Sequence, residues 1–573
     1  MPEDWPRCPE TDAARYRTAG HWAGVTASAL LRDLAARHGP RTALVDGPRR
    51  WSYAELDAHV DRLRAGLTRA GVRPGERVVV HLPNRAEFVH LWFALVRLGA
   101  VPVHAMPAHR HGEIRRLAQI AGATTYVVAE RAGTLDGSAL AARVHDALAP
   151  PRRVILLTEA GSGSSVSTAS PAVAPSPVPT ATPGVVPEVL TWSSLLADGV
   201  TAPSDAGGHG DTADPGGLAM LLLSGGSTGA PKLIPRTHDD YLYAAREGAR
   251  MCELGPDSVY LVCLPIGFNF AFGAPGVLGT LLSGGTVVVA RDPSPPTAFD
   301  LIARERVTVT ALTPPLVPAW VEEHGTSAPD LSSLRVLQVG GARLADHEAG
   351  RVEEVLGVRL QQVFGMAEGL VNYTRLDDPP HLRRTTQGVP PTAADEVLVV
   401  DDEDRPLPTG EVGELLTRGP STPRGYYRAA EHNRRAFTAD GFYRSGDLVR
   451  RLPSGHLVVV GRRKEQINRG GEKIDTAEVE ELLRSHPRVR AVALLPVPDP
   501  VLGERSVAFV AGVEPALTPR EAARYLAKCG LAAYKAPDRV VPVPDLPLTP
   551  VGKVDKAALA RRFSAEPGQV GSG

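Results

Sequence analysis

The chain has 573 residues, 43% of them hydrophobic and 22% charged, with a formal net charge of -1. That is an ordinary globular composition, long enough for about three to four domain-sized units. The near-neutral balance leaves no electrostatic footprint for nucleic acid or an anionic membrane, no apolar run approaches the ~20 residues of a membrane span, and no basic-then-apolar leader opens the chain. Cys8, Cys252, Cys263 and Cys529 lack metal-ligand spacing and read as free thiols of a reducing compartment, with the cytoplasm as the default.

Helical periodicity over residues 27–38 and 53–70 is followed by a buried-strand pattern at 77–82, a helix at 84–98, a strand at 100–104 and a helix at 112–121. Such alternation predicts βαβ units and an α/β fold, a mainly parallel sheet with helices on both faces. Residues 161–187 are almost wholly Ser, Thr, Ala, Pro, Val and Gly, which cannot bury a core, and predict a disordered insertion. After a second soft stretch at 204–217, the apolar run Leu218–Leu223 reads as a buried strand. It is closed by Ser224, Gly225, Gly226, Ser227, Thr228 and Gly229, then Ala230, Pro231 and Lys232. Glycines let successive N–H groups curl around an anion, and the hydroxyls and Lys232 add donors and charge. Walker spacing is absent, so this is a phosphate cradle of another kind.

Thr237 and Asp240 then predict a helix cap before residues 241–251. The βα alternation resumes to about residue 388, and 396–461 turns strand-rich, with glycine and proline at short intervals, predicting a barrel-like or antiparallel subdomain. A small α+β segment follows, with a capped helix at 476–485. The charged run Gly461-Arg462-Arg463-Lys464 suits a hinge between a large N-terminal unit, 1–461, and a small mobile C-terminal unit, 462–573.

Four more stretches carry chemistry. Val339-Gly340-Gly341-Ala342 ends a strand with two glycines and lets a flat ring approach backbone. Phe364-Gly365-Met366-Ala367-Glu368 delivers a carboxylate after a strand, Ser445-Gly446-Asp447 an acid after a tight turn, and Pro550-Val551-Gly552-Lys553 a lysine on a turn. Singly, each has a bland alternative: a turn acid at Asp447, a helix-start carboxylate at Glu368, a solvated face at Arg462, Lys464 and Arg469, an exposed lysine at Lys553. His238 reads as structural and Cys263 as core.

In their order, the phosphate loop and these stretches resemble the adenylate-forming superfamily of acyl-CoA synthetases, luciferases, peptide-synthetase adenylation domains and stand-alone aryl acid–AMP ligases, over roughly residues 16–559. Pro235 through Tyr241, Gly369 through Thr374 and Gln466 through Lys473 are similar to 2,3-dihydroxybenzoate– and salicylate–AMP ligases. The resemblance implies that Ser224 through Gly229 and Lys232 hold the β- and γ-phosphates of ATP, that Glu368 holds Mg²⁺, and that Lys553 bridges the substrate carboxylate and the α-phosphate. It places Gly341 and Val363, with Val459 as a further candidate, at the adenine, Asp447 and Arg462 at the ribose, and Lys464 at the hinge. Arg469 and Lys473 match positions of a second arrangement, in which the small domain has rotated and a phosphopantetheine thiol enters.

The acid pocket implied by the resemblance has Asn269 for an ortho substituent, Phe268 where relatives carry histidine, and Ala274 where they carry serine or cysteine. Ala367, Val363, Leu370 and Val371 supply its remaining walls. The implied activity is adenylation of an aromatic carboxylic acid, salicylate-like or ortho-substituted heteroaromatic, and its loading onto a phosphopantetheinylated aryl carrier protein in trans, in siderophore or nonribosomal peptide biosynthesis. A 2,3-dihydroxybenzoate–AMP ligase and an aryl-CoA ligase stay open. A silent nucleotide-binding scaffold is opposed by the joint retention of Glu368, Asp447 and Lys553.

Overall fold

Strands such as Arg77–His81, with Val78, Val79 and Val80 fully buried, are apolar on both faces, as a parallel strand covered by helices requires. The computed structural model describes residues 4–132, 135–158, 188–200, 214–224, 232–463, 466–469, 472–499, 503–529, 531, 533–549 and 552–565. The segment 161–187, Gly225, Gly226, Ser227, Thr228, Gly229 and Lys464 lie outside the described residues, so the expectations placed on them are not addressed below.

Two large sheets form the body. One has the spatial order Leu233–Thr237, Leu218–Leu223, Val101–His104, Arg77–His81, Thr125–Ala129, Arg153–Leu157 and Glu188–Thr191. The other runs Val371–Tyr373, Arg359–Gly365, Val336–Gly340, Val309–Leu312, Val259–Val262, Thr286–Val289, Thr42–Asp46 and Arg49–Ser52. Interior pairings are parallel, and the antiparallel ones lie at sheet edges. Between the sheets sits the helix Ala86–Leu98, buried from Ala86 through Arg97 and hydrophobic on all sides apart from paired charges. Its Arg97 guanidinium bonds Ser28 Oγ at 3.0 Å and pairs with Asp57 and Asp61.

In the eight-stranded sheet the chain passes from Val259–Val262 to Thr286–Val289 on one side, then crosses back to Val309–Leu312 on the other. Connections leaving Val259–Val262 and Val309–Leu312 therefore diverge. In α/β sheets such a divergence marks a crevice at the carboxyl ends of the two strands, the place where ligands bind.

The strand-rich segment is a four-stranded antiparallel meander, Glu396–Val400, Val412–Arg418, Tyr443–Arg451 and Leu457–Arg462, in which only consecutive strands pair. It is open rather than closed into a barrel. Beyond it lies a sheet of Glu472–Asp475, Gln466–Arg469, Gly503–Gly512 and Val489–Asp499, with Arg539–Pro542 added alongside Gly503–Gly512. The helices Thr476–Arg484 and Pro519–Lys528 bury Val479, Leu483 and Leu526 against it, with Ile467 and Leu494 in the same core. Among the described residues no helix is long and apolar enough to cross a membrane.

Candidate active site

Val336–Gly340 and Arg359–Gly365 lie side by side, with Gly340 opposite Val363. A Cβ on Gly340 would meet the Val363 carbonyl oxygen at 2.6 Å and the Phe270 ring at 3.0 Å, so only glycine fits. Gly341 turns with φ +86°, and the space a Cβ would take there is bounded by Thr313 Cγ2 at 3.5 Å, Lys553 Cε at 3.8 Å and the Phe268 ring at 3.9 Å. The stem of Lys553 thus enters the crevice from a turn more than two hundred residues along the chain. That turn is built by Gly552, at φ +77°, and by Thr549, whose carbonyl and Oγ1 accept the N–H groups of Gly552 and Lys553 at 2.9 and 3.1 Å. A second tie is the ion pair at 3.3 Å between Arg343, two residues past Gly341, and Glu481 on the helix Thr476–Arg484. Thr313 Oγ1, at the mouth of the crevice, is buried without a protein hydrogen-bond partner among the described residues.

Glu368 arrives on a tight reversal between Arg359–Gly365 and Val371–Tyr373, closed by Gly369 N–H to Met366 O at 3.1 Å and Met366 N–H to Leu370 O at 3.0 Å. Gly369 sits at φ +134°, and a Cβ there would lie 2.6 Å from Ser421 O, so the turn is pressed onto that loop. Burial pushes the Glu368 carboxyl above its usual range, and the Tyr426 hydroxyl, which donates to Oε1 at 2.7 Å, pulls it back. Behind the turn lies Arg236, 1% exposed, which the sequence reading passed over as a family signature. Its guanidinium donates to Ala367 O at 2.9 Å, to Ser421 O at 3.2 Å and to Asp240 Oδ1 at 2.7 Å. Asp240 in turn accepts the Thr237 N–H and hydroxyl and completes a capping box, so the helix is His238–Met251, three residues longer than predicted.

The same helix start anchors the N-terminal segment. Asp239 accepts from Arg17 at 2.7 Å and from Gly24 N–H at 3.2 Å, and His238 Nδ1 accepts from Ala27 N–H at 3.4 Å. Burial holds the His238 imidazole neutral, down to about 4, which agrees with its structural reading. Nearby, Asp395 accepts from Tyr243 at 2.7 Å and Thr392 at 3.1 Å and is raised to about 6 by burial. A carboxyl raised on folding stabilises below its unfolded value near 3.8 and loses that contribution as pH rises through about 6. Asp395→Asn is therefore expected to gain on the parent by roughly 3 kcal/mol between pH 3.5 and pH 7. Denaturation midpoints of both proteins at the two pH values check this.

Asp447 and Arg462 face each other across the meander, with Arg462 Nε donating to Asp447 Oδ1 at 2.8 Å. Asp447 is 4% exposed and its N–H is held by Ser445 Oγ at 3.0 Å around Gly446, at φ +72°. Arg463 pairs with Glu414 at 2.6 Å and Asp402 at 2.9 Å, so both arginines are exposed yet tied by ion pairs to the meander. The neck of the phosphate loop is closed by Ser224 N–H to Lys232 O at 2.9 Å and Lys232 N–H to Ser224 Oγ at 3.3 Å.

The strands sort the remaining candidates by face. Leu370 packs into the meander core with Val399, Leu415, Val449 and Leu457, and Val459 packs against that core with its N–H given to Gln387 at 2.8 Å. Leu370 is therefore no wall of the acid pocket. Val363 shares the large core with Phe270, Ala274 and Val371, so its side chain lies on the Phe270 side of the strand. The half-buried aromatic on the other face of the strand is Phe364, packed against the meander core. Arg469 is held by Asp538 through both oxygens, at 2.8 to 3.0 Å, and Asp538 also accepts Ser506 N–H, so in this arrangement Arg469 is an internal strut. Lys473 is placed on the strand Glu472–Asp475, opposite Asn468.

Asn269 begins the short helix Asn269–Gly273, and its Oδ1 accepts from the Tyr241 hydroxyl at 2.9 Å. On either side, Phe268 reaches Gly341 and Phe270 reaches Gly340, their rings edge to face at 6.4 Å. Ala274, 3% exposed, and Val371, 8% exposed, pack in the same core, with Ala367 partly buried against it. The result is an apolar cluster with one amide beside it. Phe270 was missed because its neighbours carried the polar signal.

The residues present fit ATP and a divalent cation. Gly341 leaves a gap that a side chain would fill, Thr313 offers a buried hydroxyl without a partner among the described residues, and Glu368 is a buried carboxylate. Mg²⁺ is a cation held by one or two carboxylates plus substrate phosphates, and Glu368 offers one such carboxylate.

Residues 31–427 match the AMP-binding enzyme family and 478–553 its C-terminal domain family. The chain is 47% identical to a 2,3-dihydroxybenzoate-AMP ligase of Bacillus subtilis, over 97% of each protein. It is 43% identical to the salicyl-AMP ligase / salicyl-S-ArCP synthetase of Mycobacterium tuberculosis, over 98% of this chain and 95% of that one. The apo structure of MbtA from Mycobacterium smegmatis superposes with a TM-score of 0.71 at 41% identity, covering 98% of this chain and 99% of that one.

Proposed function

The chain belongs to the AMP-binding enzyme family, and on that premise we propose that it is a stand-alone aryl acid–AMP ligase. It joins an aromatic carboxylic acid to AMP from ATP and passes the acyl group to the phosphopantetheine thiol of a carrier protein. The observation that carries this reading is the convergence of Lys553, Phe268 and Thr313 on Gly341, with the apolar cluster around Phe268 and Phe270 and the Asn269 amide on the same segment.

In the first half-reaction a carboxylate oxygen bonds to the α-phosphorus and the α–β anhydride bond breaks, releasing pyrophosphate. Negative charge gathers on oxygens that must approach one another, so fixed positive charge is the main need. Lys553 supplies it at the reacting oxygens. Mg²⁺ held by Glu368 would neutralise phosphate charge. The loop from Ser224 to Lys232 holds the outer phosphates, and Asp447, with Arg462 beside it, accepts from the ribose hydroxyls. The walls of Phe268, Phe270, Val363 and Val371 suit a flat ring and keep water from the activated ester. An α-ammonium would be buried there without a counter-charge, because Asn269 is neutral.

ATP–pyrophosphate exchange across benzoate, salicylate, 2,3-dihydroxybenzoate, picolinate, an alkanoate and an α-amino acid tests the assignment. An aryl acid with an ortho substituent is expected to lead, and a lead for the alkanoate or amino acid would sink the reading. Mass analysis of the thioester formed with a carrier domain or with coenzyme A decides the acceptor. Ala274→Ser places a hydroxyl in the apolar cluster and is expected to favour 2,3-dihydroxybenzoate over salicylate by on the order of tenfold, read as a ratio of specificity constants.

A further inference from the structure

Tyr241 is fully buried, and its hydroxyl has one hydrogen-bond partner among the described residues, Asn269 Oδ1 at 2.9 Å. A buried O–H needs an acceptor, and of the two ends of a carboxamide only the oxygen accepts. Turning the amide over would set the Nδ2 amine against the phenol and leave the phenol proton without an acceptor. The Arg236 guanidinium lies 4.9 Å from the centre of the Tyr241 ring, which draws electron density off the ring and strengthens the hydroxyl as a donor. Gly273 makes room for this contact, since a Cβ there would sit 2.4 Å from the Tyr241 oxygen. Asn269 itself is half-buried beside Phe268 and Phe270, and its Nδ2 has no hydrogen bond among the described residues.

We propose that Tyr241 is a positioning residue that fixes the polarity of the acid slot: it holds Asn269 Oδ1 to the rear, so that the slot presents an N–H donor to the ortho position of the ring. The inference rests on the aryl-acid reading above and refines its substrate class. An ortho group must then accept. A salicylate phenol donates its own proton to the neighbouring carboxylate and turns an oxygen lone pair outward, and a picolinate ring nitrogen accepts directly. An anthranilate amine, with one N–H given to the carboxylate, aims its second N–H at the Nδ2 hydrogens. The slot therefore takes ortho acceptors and rejects ortho donors of nearly the same size.

The test compares specificity constants for benzoate, salicylate, picolinate and anthranilate by pyrophosphate exchange in the parent, Tyr241→Phe and Asn269→Asp. The parent is expected to favour salicylate over anthranilate by about tenfold or more, the factor set by one mismatched buried hydrogen bond. In Tyr241→Phe the amide is free to turn, and the ratio of salicylate to anthranilate, each read against benzoate in the same variant, is expected to fall to within about threefold. Asn269→Asp leaves Tyr241 its acceptor but offers the ring an oxygen, and is expected to invert the preference toward anthranilate. It decides alone should Tyr241→Phe fail to fold. Equal use of salicylate and anthranilate by the parent overturns the polarity and leaves the aryl-acid function standing. So does an equal loss for all four acids in Tyr241→Phe, which a merely structural role would give. Exchange with none of the four acids overturns the function itself, and this inference with it.

Discussion

Lys553→Ala is expected to lower the rate of pyrophosphate exchange by about 10²–10³-fold, the factor that follows loss of one pre-placed electrostatic group at a reacting oxygen. Its stem stands 3.8 Å from the Cβ position of Gly341, and the Gly552 turn that carries it abuts Thr313. On the proposed reading the charge lies where the substrate carboxylate and the α-phosphate meet. The turn itself is held by the Thr549 carbonyl and hydroxyl, which accept from the Gly552 and Lys553 N–H groups and are kept in the variant. Transfer of the acyl group from chemically made acyl adenylate to a thiol needs no such neutralisation, and is expected to stay within about threefold of the parent. Measuring the two half-reactions separately checks this. An unchanged exchange rate would remove Lys553 from the adenylation site, and an equal loss in both halves would make it a structural residue.

The parts of this site that were legible in the sequence are those whose chemistry is spelled by residue type at fixed spacing. Glu368 after Gly365, Asp447 after Gly446 and Lys553 after Gly552 each follow a glycine at short spacing, and it is their order along the chain, together with the glycine-rich loop after Leu223, that exposes them rather than any one of them. What was not legible depends on which face of an element meets the crevice. Side chains alternate along a strand, yet the sequence does not say which face is which. Val363 and Phe364 are neighbours on one strand, and Val363 lies on the Phe270 side while Phe364 lies against the meander. The reversal at Glu368 returns the chain antiparallel, so Leu370 and Val371 part in the same way, Leu370 to the meander and Val371 to the Phe270 side.

Arg236 and Tyr241 were hidden for another reason. Both belong to a run whose polar residues read as a helix cap, and the cap is real. Nothing local reveals that Arg236 reaches 131 residues ahead to Ala367, or that Tyr241 meets Asn269. The large fold, by contrast, was readable from period alone, because parallel strands buried on both faces are nearly continuous apolar runs. Closure of the strand-rich segment into a barrel was not readable, since pairing between its outer strands depends on their mutual tilt.

Arg236→Met is expected to cost about 3–5 kcal/mol of stability, the range for breaking a buried ion pair from one side. The guanidinium is 1% exposed and makes three bonds, to Asp240, Ala367 O and Ser421 O, so its loss strands a carboxylate and two carbonyls in the interior. Burial already pushes the Asp240 carboxyl up, and Arg236 is the charge that opposes it. Without Arg236 the carboxyl rises further, and a raised carboxyl loses stability as pH increases. The deficit of Arg236→Met is thus expected to be larger at pH 8 than at pH 5. Adding Asp240→Asn removes the stranded charge while an amide oxygen still accepts from Thr237, so the double variant should recover most of the lost stability. It should not recover activity. The turn from Met366 to Gly369 would still lack its anchor at Ala367 O, and Glu368 is held in place by that turn. Urea midpoints at both pH values, with pyrophosphate exchange on the double variant, separate the two roles. A double variant that regains full exchange would show that Arg236 balances the charge of Asp240 and does nothing for the placement of Glu368.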